Sequence, residues 1–423
     1  MHINLPSDVK RILNILNQAG YEAFAVGGCV RDSVLGITPY DWDITTSADP
    51  YAVKALFLHT VDTGLKHGTV TVLMNHVGYE VTTYRIDGEY KDARHPEKVI
   101  FTKNLEEDLK RRDFTINAMA YNDEAGLIDL FGGVYDLKSG IIKCVGDPEK
   151  RFTEDALRIL RAFRFAARFG FEIDEGTVTA ARKIAENIKK VSIERIREEL
   201  NKILLSDNPD MLIKAYETGV TDKFIPEFDC VPDKISLCRM IKSAGSGYRK
   251  KYPDASNKDI LILKWAVLAA YCAGEETSLS DKLDMFLNRF KFDNYSKHSV
   301  KTLAEYVFHD MTGFDATDMR ILMSEIGADL CPMLFELKRV IEAENALNEY
   351  ENLTRLYDEI IKNNDCTCIA DLSVTGRDLI NAGVSAGPMV GITLKNLLNE
   401  VMKNPCLNNK EDLLKIAKSG IKS

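Results

Sequence analysis

A chain of 423 residues and 47.5 kDa is longer than one ordinary domain and predicts about two to four of them. With 45% hydrophobic and 28% charged residues, 12 prolines and 26 glycines, it has the composition of a globular protein, not of a fibrous or disordered one. The 55 Lys and Arg against 64 Asp and Glu give a net charge of -9, so a nucleic-acid surface is expected only as a local basic patch.

The amino terminus, Met1-His-Ile-Asn-Leu-Pro-Ser-Asp8, lacks the basic, apolar and small-residue regions of a signal peptide. Residues 1–147 read as mixed α/β. Ala23-Phe-Ala-Val26 has strand character and stops at Gly27-Gly28, and a short helical stretch then runs to Gly36. A strand, a glycine pair whose N–H groups can reach a phosphate, and a helix start carrying Arg31 make a coherent phosphate-binding design. The same pair also serves as a plain tight turn. Asp41-Trp42-Asp43 lies in an extended segment, so its two carboxylates point to one side. They repel each other unless a cation sits between them. Hard divalent metals suit such a pair, and magnesium leaves positions open for substrate phosphates. A solvated loop is the alternative. Residues 70–74 and 79–84 flank a turn at 75–78 and predict a hairpin, with Glu80 either a third carboxylate or a solvated edge residue.

From Asp147-Pro148 the pattern becomes helical. Over 154–168, Ala156, Ile159, Leu160, Phe163, Ala166 and Ala167 share one arc, and Arg158, Arg161, Arg164 and Arg168 share the other, with Gly170 closing the helix. Residues 150–200 hold 12 basic against 9 acidic residues, and 239–251 hold five basic and no acidic ones. Such runs are solvated faces or phosphate contacts. Further amphipathic stretches follow at 193–205, 261–273, 333–346 and 353–362, with Pro209 a break. The longest apolar run, 265–273, is far below the roughly 20 residues that span a bilayer. Nine cysteines without a C-x-x-C pair predict reduced thiols in a soluble, cytoplasmic protein.

Gly27-Gly-Cys-Val-Arg-Asp32 followed by Asp41-Trp-Asp43 resembles the signature of the nucleotidyltransferase superfamily that contains DNA polymerase β. More narrowly it resembles the bacterial tRNA nucleotidyltransferases, or CCA-adding enzymes, and the related bacterial poly(A) polymerases. Further blocks match in order: Arg111-Arg-Asp-Phe-Thr-Ile-Asn-Ala118, Ile128-Asp-Leu-Phe-Gly-Gly133 through Val145-Gly146, Glu154-Asp-Ala-Leu-Arg158 with Arg161 and Arg164, and Ile193-Glu-Arg-Ile-Arg-Glu-Glu-Leu200. They cover residues 20–205, and weaker similarity continues to the end.

The resemblance implies a polymerase-β-like α/β head at 1–147, then an all-helical neck with a base-recognition motif at 148–205, a helical body at 206–330 and a helical, tRNA-binding tail at 331–423. It implies template-independent building or repair of the 3′ CCA end of tRNA from CTP and ATP, with release of pyrophosphate, in a two-metal reaction using Mg2+. Asp41 and Asp43 would hold the metals, with Glu80 the third catalytic carboxylate. Gly28 and Arg31 would hold the triphosphate and Arg112 the nucleotide, while Asp113 and Asn117 suit the ribose or else cap a helix. Asp155 and Arg158, three apart on the neck helix, would read the base, with Arg161 and Arg164 extending the basic face. A carboxylate beside a guanidinium matches the amino donor and ring acceptor of cytosine and adenine, and mismatches guanine and uracil. An i,i+3 surface ion pair is the alternative for these two residues.

The tRNA would be held through its acceptor arm, with neither DNA nor membrane as partner. Gly376 through Gly391 resembles the family's C-terminal segment, or else forms helix-breaking loops. Residues 87–96 resemble the head loop used in passing from C to A addition. Many relatives carry a His-Asp phosphohydrolase centre; here Ala269-Ala270-Tyr271 stands in its place, and His309-Asp310 reads as a surface feature. The rivals are a poly(A) polymerase, which a long basic extension would favour, a partial CC-adding or A-adding enzyme, and a catalytically silent RNA-binding or nucleotide-sensing protein. Intact Asp41, Asp43 and Glu80 count against the last.

Overall fold

Short β-branched and aromatic runs early in the chain fold into one seven-stranded sheet, seen in a computed structural model that describes residues 1–88, 99–274, 278–342 and 347–421. Two compact units result, Met1–Cys238 and Arg239–Ser423. Over residues 1–130 the strands are β1 (Ala23–Val26), β2 (Ile44–Thr46), β3 (Thr60–Gly64), β4 (Thr69–Met74), β5 (Val77–Thr83), β6 (Arg85–Asp87), β7 (Val99–Phe101), β8 (Met119–Asn122) and β9 (Gly126–Asp129). The sheet runs β3-β4-β5-β2-β1-β8-β9, while β6 and β7 pair separately. Every neighbour in the large sheet is antiparallel except β2 with β5.

That parallel pairing matches Ile44 with Val81, and carried one residue back it sets Asp43 beside Glu80. The expected hairpin is β4–β5, but its turn is tighter than the sequence suggests. Asn75 and His76 both adopt left-handed backbone (φ 50 and 67), which makes a two-residue turn whose twist suits the strands. Gly78 therefore falls inside β5, where a Cβ would come 3.0 Å from the Thr71 methyl. Behind the sheet Phe24, Val26, Tyr84, Leu109, Ala118 and Ala120 form a core cluster.

The rest of this unit is mostly helical, including Pro148–Glu154, Leu157–Phe169, Glu175–Ile184, Ile193–Leu205 and Met211–Glu217, with Pro209 in the break before the last. The neck at 148–205 is not all helix as expected: β11 (Glu172–Ile173) lies within it and pairs in parallel with β10 (Ile141–Ile142), because the chain returns beside the head's last segment after Gly170 ends the helix. All six residues of the expected apolar arc are buried. The helix starts at Leu157, however, and not near Glu154. Asp155 is extended (φ -144, ψ 103), and its side chain accepts from the Leu157 N–H at 3.0 Å, a local bond that competes with continuing the helix.

The described residues of the second unit form helices and no strand. The expected stretches 261–273 and 353–362 lie in Asn257–Ala273 and Leu347–Asn363, and 333–342 of the stretch 333–346 lies in Cys331–Glu342, its residues 343–346 being outside the described residues. Trp265 is buried among the rings of Phe286, Phe290 and Phe292. A second cluster, around Leu379, Leu397, Val401 and Leu413, closes the carboxyl-terminal helices. Ala269 and Ala270 are buried, whereas His309 and Asp310 are exposed. No described helix is long and apolar enough to cross a membrane. Of the 87–96 loop, residues 89–96 lie outside the described residues.

Candidate active site

Trp42 is buried and Asp41 and Asp43 on either side of it are exposed, the alternation of an extended segment running into β2. The Asp43 carbonyl accepts from the Val26 N–H at 3.0 Å, which fixes the pair against the end of β1. Surrounding protein desolvates the Asp43 carboxyl even though the residue keeps open surface. That desolvation, then repulsion from Asp41, with a smaller push from Glu80 and an opposing pull from Arg112, moves it up to about 6. No side-chain hydrogen bond or ion pair reaches Asp41, Asp43 or Glu80 among the described residues.

Two carboxylates left to repel each other fit a hard divalent cation, which would relieve the repulsion and keep positions for phosphate oxygens. Among the described residues no three His, Cys, Asp or Glu groups stand together as one metal cluster. Asp41 and Asp43 thus stand as a pair of carboxylates, and Glu80 contributes charge from the neighbouring strand.

The cationic counterpart is Arg112. Gly27 has φ +78, and a Cβ there would come 3.0 Å from the Arg112 guanidinium, so glycine is needed both for the turn and for this close approach. Asp108, fully buried, accepts from Arg111 at 3.0 and 2.7 Å, from Arg112 at 3.4 Å and from Thr45 Oγ1 at 3.1 Å. Burial favours its neutral form, but the two arginines prevail and hold it below the usual carboxylate range. The Asp108 carboxylate therefore ties both arginines to β2. The Arg112 Nε is buried without a hydrogen-bond partner.

Arg31, Asp113 and Asn117 come together, but they bond to one another. Arg31 is only 4% exposed; its Nε donates to Asp32 at 2.8 Å and its Nη1 to the Asn117 side-chain oxygen at 2.6 Å. Asn117 donates to Asp113 at 3.0 Å, and Arg161 donates twice to the other Asp113 oxygen, at 2.8 and 2.5 Å. With the Phe114 N–H also bound at 2.8 Å, all four acceptor sites of Asp113 are filled. Burial pushes Asp113 up, yet Arg161 and Asn117 hold it far below the ordinary range.

The arginines of the neck helix are likewise paired, and do not form the solvated basic face expected from their spacing. Arg158 donates to Glu154 at 2.6 Å and to the Arg111 carbonyl at 3.1 Å, and Arg168 meets Asp32 at 3.0 Å. Arg164 lies 2.8 Å from Glu199, but the groups are not aligned for a hydrogen bond, so this is an ion pair alone. Its burial brings Arg164 down to about 10. Asp155 does not pair with the Arg158 side chain. It accepts from Arg195 at 2.8 Å, and since Asp155 precedes the helix, the expected i,i+3 projection does not apply. A cleft of about 790 Å³ opens between Glu107, Lys110, Arg111, Arg151 and Glu154; its walls include none of Asp41, Asp43 or Glu80. Sequence reasoning missed Asp108, Glu199 and Arg195 as partners and gave Asp32 no role. Asp108 alone had a local signal, three and four residues before the arginines it holds.

Comparison with known proteins shows the family. Residues 23–143 match the poly A polymerase head domain, 170–231 the "Probable RNA and SrmB- binding site of polymerase A", and 262–417 a tRNA nucleotidyltransferase second domain. The CCA-adding enzyme of Limosilactobacillus fermentum is 36% identical over 412 residues, 96% of this chain and 95% of that one. That of Leuconostoc mesenteroides is 36% identical over 427 residues, 97% and 96% of the two chains. The crystal structure of the Bacillus stearothermophilus CCA-adding enzyme in complex with CTP superposes with a TM-score of 0.78 at 30% identity, covering 97% of this chain and 96% of that one. The bare carboxylate pair, the glycine turn and the arginine-rich helix thus lie in a chain that belongs to the CCA-adding enzymes of the tRNA nucleotidyltransferase and poly(A) polymerase family.

Proposed function

We propose that the chain adds C, C and A to the 3′ end of tRNA from CTP and ATP, with Asp41 and Asp43 as the catalytic centre. The observation that carries this is the carboxylate pair without a side-chain partner among the described residues, beside Arg112 and the Gly27-Gly28 turn. Asp41 and Asp43 would hold Mg2+, which supplies Lewis-acid activation of the RNA 3′-hydroxyl and neutralises the triphosphate. Glu80 adds negative potential at that site. Arg112, whose Nε is a spare donor, meets the nucleotide's phosphates beside the backbone at Gly28. Arg31 lends its charge from behind the turn.

Asn117 keeps one N–H and one lone pair for the ribose, whereas Asp113 orients Asn117. Each Asp155 oxygen has a lone pair left for an exocyclic amino group, and Arg158 reads the ring acceptor after leaving Glu154. Arg161 and Arg164 hold that helix in place. The division into head (1–147), neck (148–205), body (206–330) and tail (331–423) follows these tasks, with the helical remainder, including Arg249, Lys250 and Lys251, taking the tRNA backbone. We place the reaction in the cytoplasm, where tRNA, CTP and ATP meet.

The test uses tRNA transcripts ending before CCA, after C and after CC, each given one nucleotide at a time. CTP alone should extend the first two, and ATP alone the third. Extension of all three by ATP into a homopolymer would favour a poly(A) polymerase and overturn the proposal.

A further inference from the structure

We propose that Asp32 is a positioning residue for base selection, acting by closing a ring of charged hydrogen bonds that locks the base-reading helix onto the glycine turn. The inference rests on the base-reading role given above to Asp155 and Arg158. Asp32 is 8% exposed and takes no part in the chemistry just described. One of its oxygens accepts from Arg31 Nε at 2.8 Å, and the other from Arg168 Nη2 at 3.0 Å. From Arg31 the ring continues through Asn117 at 2.6 Å and Asp113 at 3.0 Å to Arg161 at 2.8 Å. Arg161 and Arg168 are seven residues apart, two turns along one face of Leu157–Phe169, so the helix itself closes the circuit.

Aromatic rings fill the interior. Phe165 and Phe169 stack with centroids 6.1 Å apart and planes at 3°. The Arg31 guanidinium lies 5.1 and 5.0 Å from their centroids, Arg161 5.5 Å from Phe165 and Arg168 4.9 Å from Phe169. Three elements are therefore held at once: the helix Gly28–Val34 that starts at the phosphate turn, the turn Thr115–Asn117, and the helix that begins just after Asp155.

The consequence concerns geometry at the base. Hydrogen-bond discrimination falls steeply with angle and distance, so it needs the phosphate grip and the base-reading groups in a fixed relation. A released helix lets a wrong base shift until its groups are partly met. Loss of Asp32 or Arg168 should therefore damage choice among bases more than it damages addition itself.

The experiment gives the full-length protein tRNA lacking CCA with all four nucleotides in competition, comparing wild type with Asp32→Asn, Arg168→Gln and Arg168→Lys. The preference for C and A over U and G is expected to fall about tenfold in Asp32→Asn and Arg168→Gln, equal to about 1.4 kcal/mol. KM for CTP and UTP should converge while kcat with CTP changes less. Arg168→Lys, which keeps the charge, should recover part of the preference. Arg168 is partly exposed, so its variants keep the question open to test even if Asp32→Asn does not fold. Unchanged preference in both variants of a selective wild type, with only stability or overall rate lowered, would overturn the inference. A wild type without preference for C and A would overturn the base-reading assignment beneath it.

Discussion

Two regions of the first unit handle charge in opposite ways. Asp41, Asp43 and Glu80 gather negative charge with no side-chain hydrogen bond among the described residues, and desolvation with that repulsion pushes Asp43 up to about 6. On the neck helix each arginine holds an acid: Arg158 has Glu154, Arg161 has Asp113, Arg164 has Glu199 and Arg168 has Asp32. At the site proposed for the metal and phosphates, the fold leaves repulsion unanswered. Where a helix must stay in place, it answers nearly every charge. Sites built for ligands tend to be locally unfavourable, and the rest of the fold offsets that.

The comparison breaks most visibly at Asp41. Asp41→Ala should lower nucleotide addition about a thousandfold or more, because several kcal/mol of transition-state charge stabilisation leaves with the metal. Binding of tRNA, measured by filter retention, should stay near wild type. Addition at the wild-type rate would remove the carboxylate pair from the chemistry. On the other side, Asp113→Ala removes the buried partner of the half-buried Arg161 and should cost about 1.5–3 kcal/mol, read from urea unfolding. A cost below about 1 kcal/mol would mean that the pairing of the helix is incidental.

A smaller effect sharpens the boundary between the two regions. Asp155 belongs to both, since it is paired with Arg195 and assigned to the base. Asp155→Asn offers an amide that can also donate, so rejection of UTP and GTP should weaken by about 1–3 kcal/mol, roughly five- to 150-fold. Intact rejection in a four-nucleotide competition would leave Asp155 as an architectural partner of Arg195 alone.

The sequence is legible where chemistry is local. The alternation around Trp42, the glycine turn, the apolar arc of the neck helix and the hairpin all follow from spacing within a dozen residues. The partners of the arginines do not. Asp113 and Arg161 lie 48 residues apart, and Asp32 and Arg168 lie 136 apart, so no window of sequence contains both. The period that aligns Arg158, Arg161, Arg164 and Arg168 is the same for a solvated basic face as for a face of buried ion pairs. Tertiary structure decides between them. Asp155 also misled for a physical reason: helical spacing assumes helical backbone, and its side-chain bond to the Leu157 N–H ends that assumption.

The contrast between bare acids and paired arginines is tested most directly by one variant measured twice. Asp43 binds its proton more tightly in the folded protein than its ordinary value of 3.8 implies, so unfolding free energy falls as pH rises from about 4 to about 6 and stays lower above. Asp43→Asn removes that loss along with the metal ligand. At pH 7.5 without metal, Asp43→Asn should melt about 2 °C above wild type, with the difference vanishing near pH 4, and in Mg2+ it should add no nucleotide to tRNA. A variant that melts lower than wild type at pH 7.5, or that still completes CCA, would contradict the claim that this carboxylate is left unpaired for catalysis.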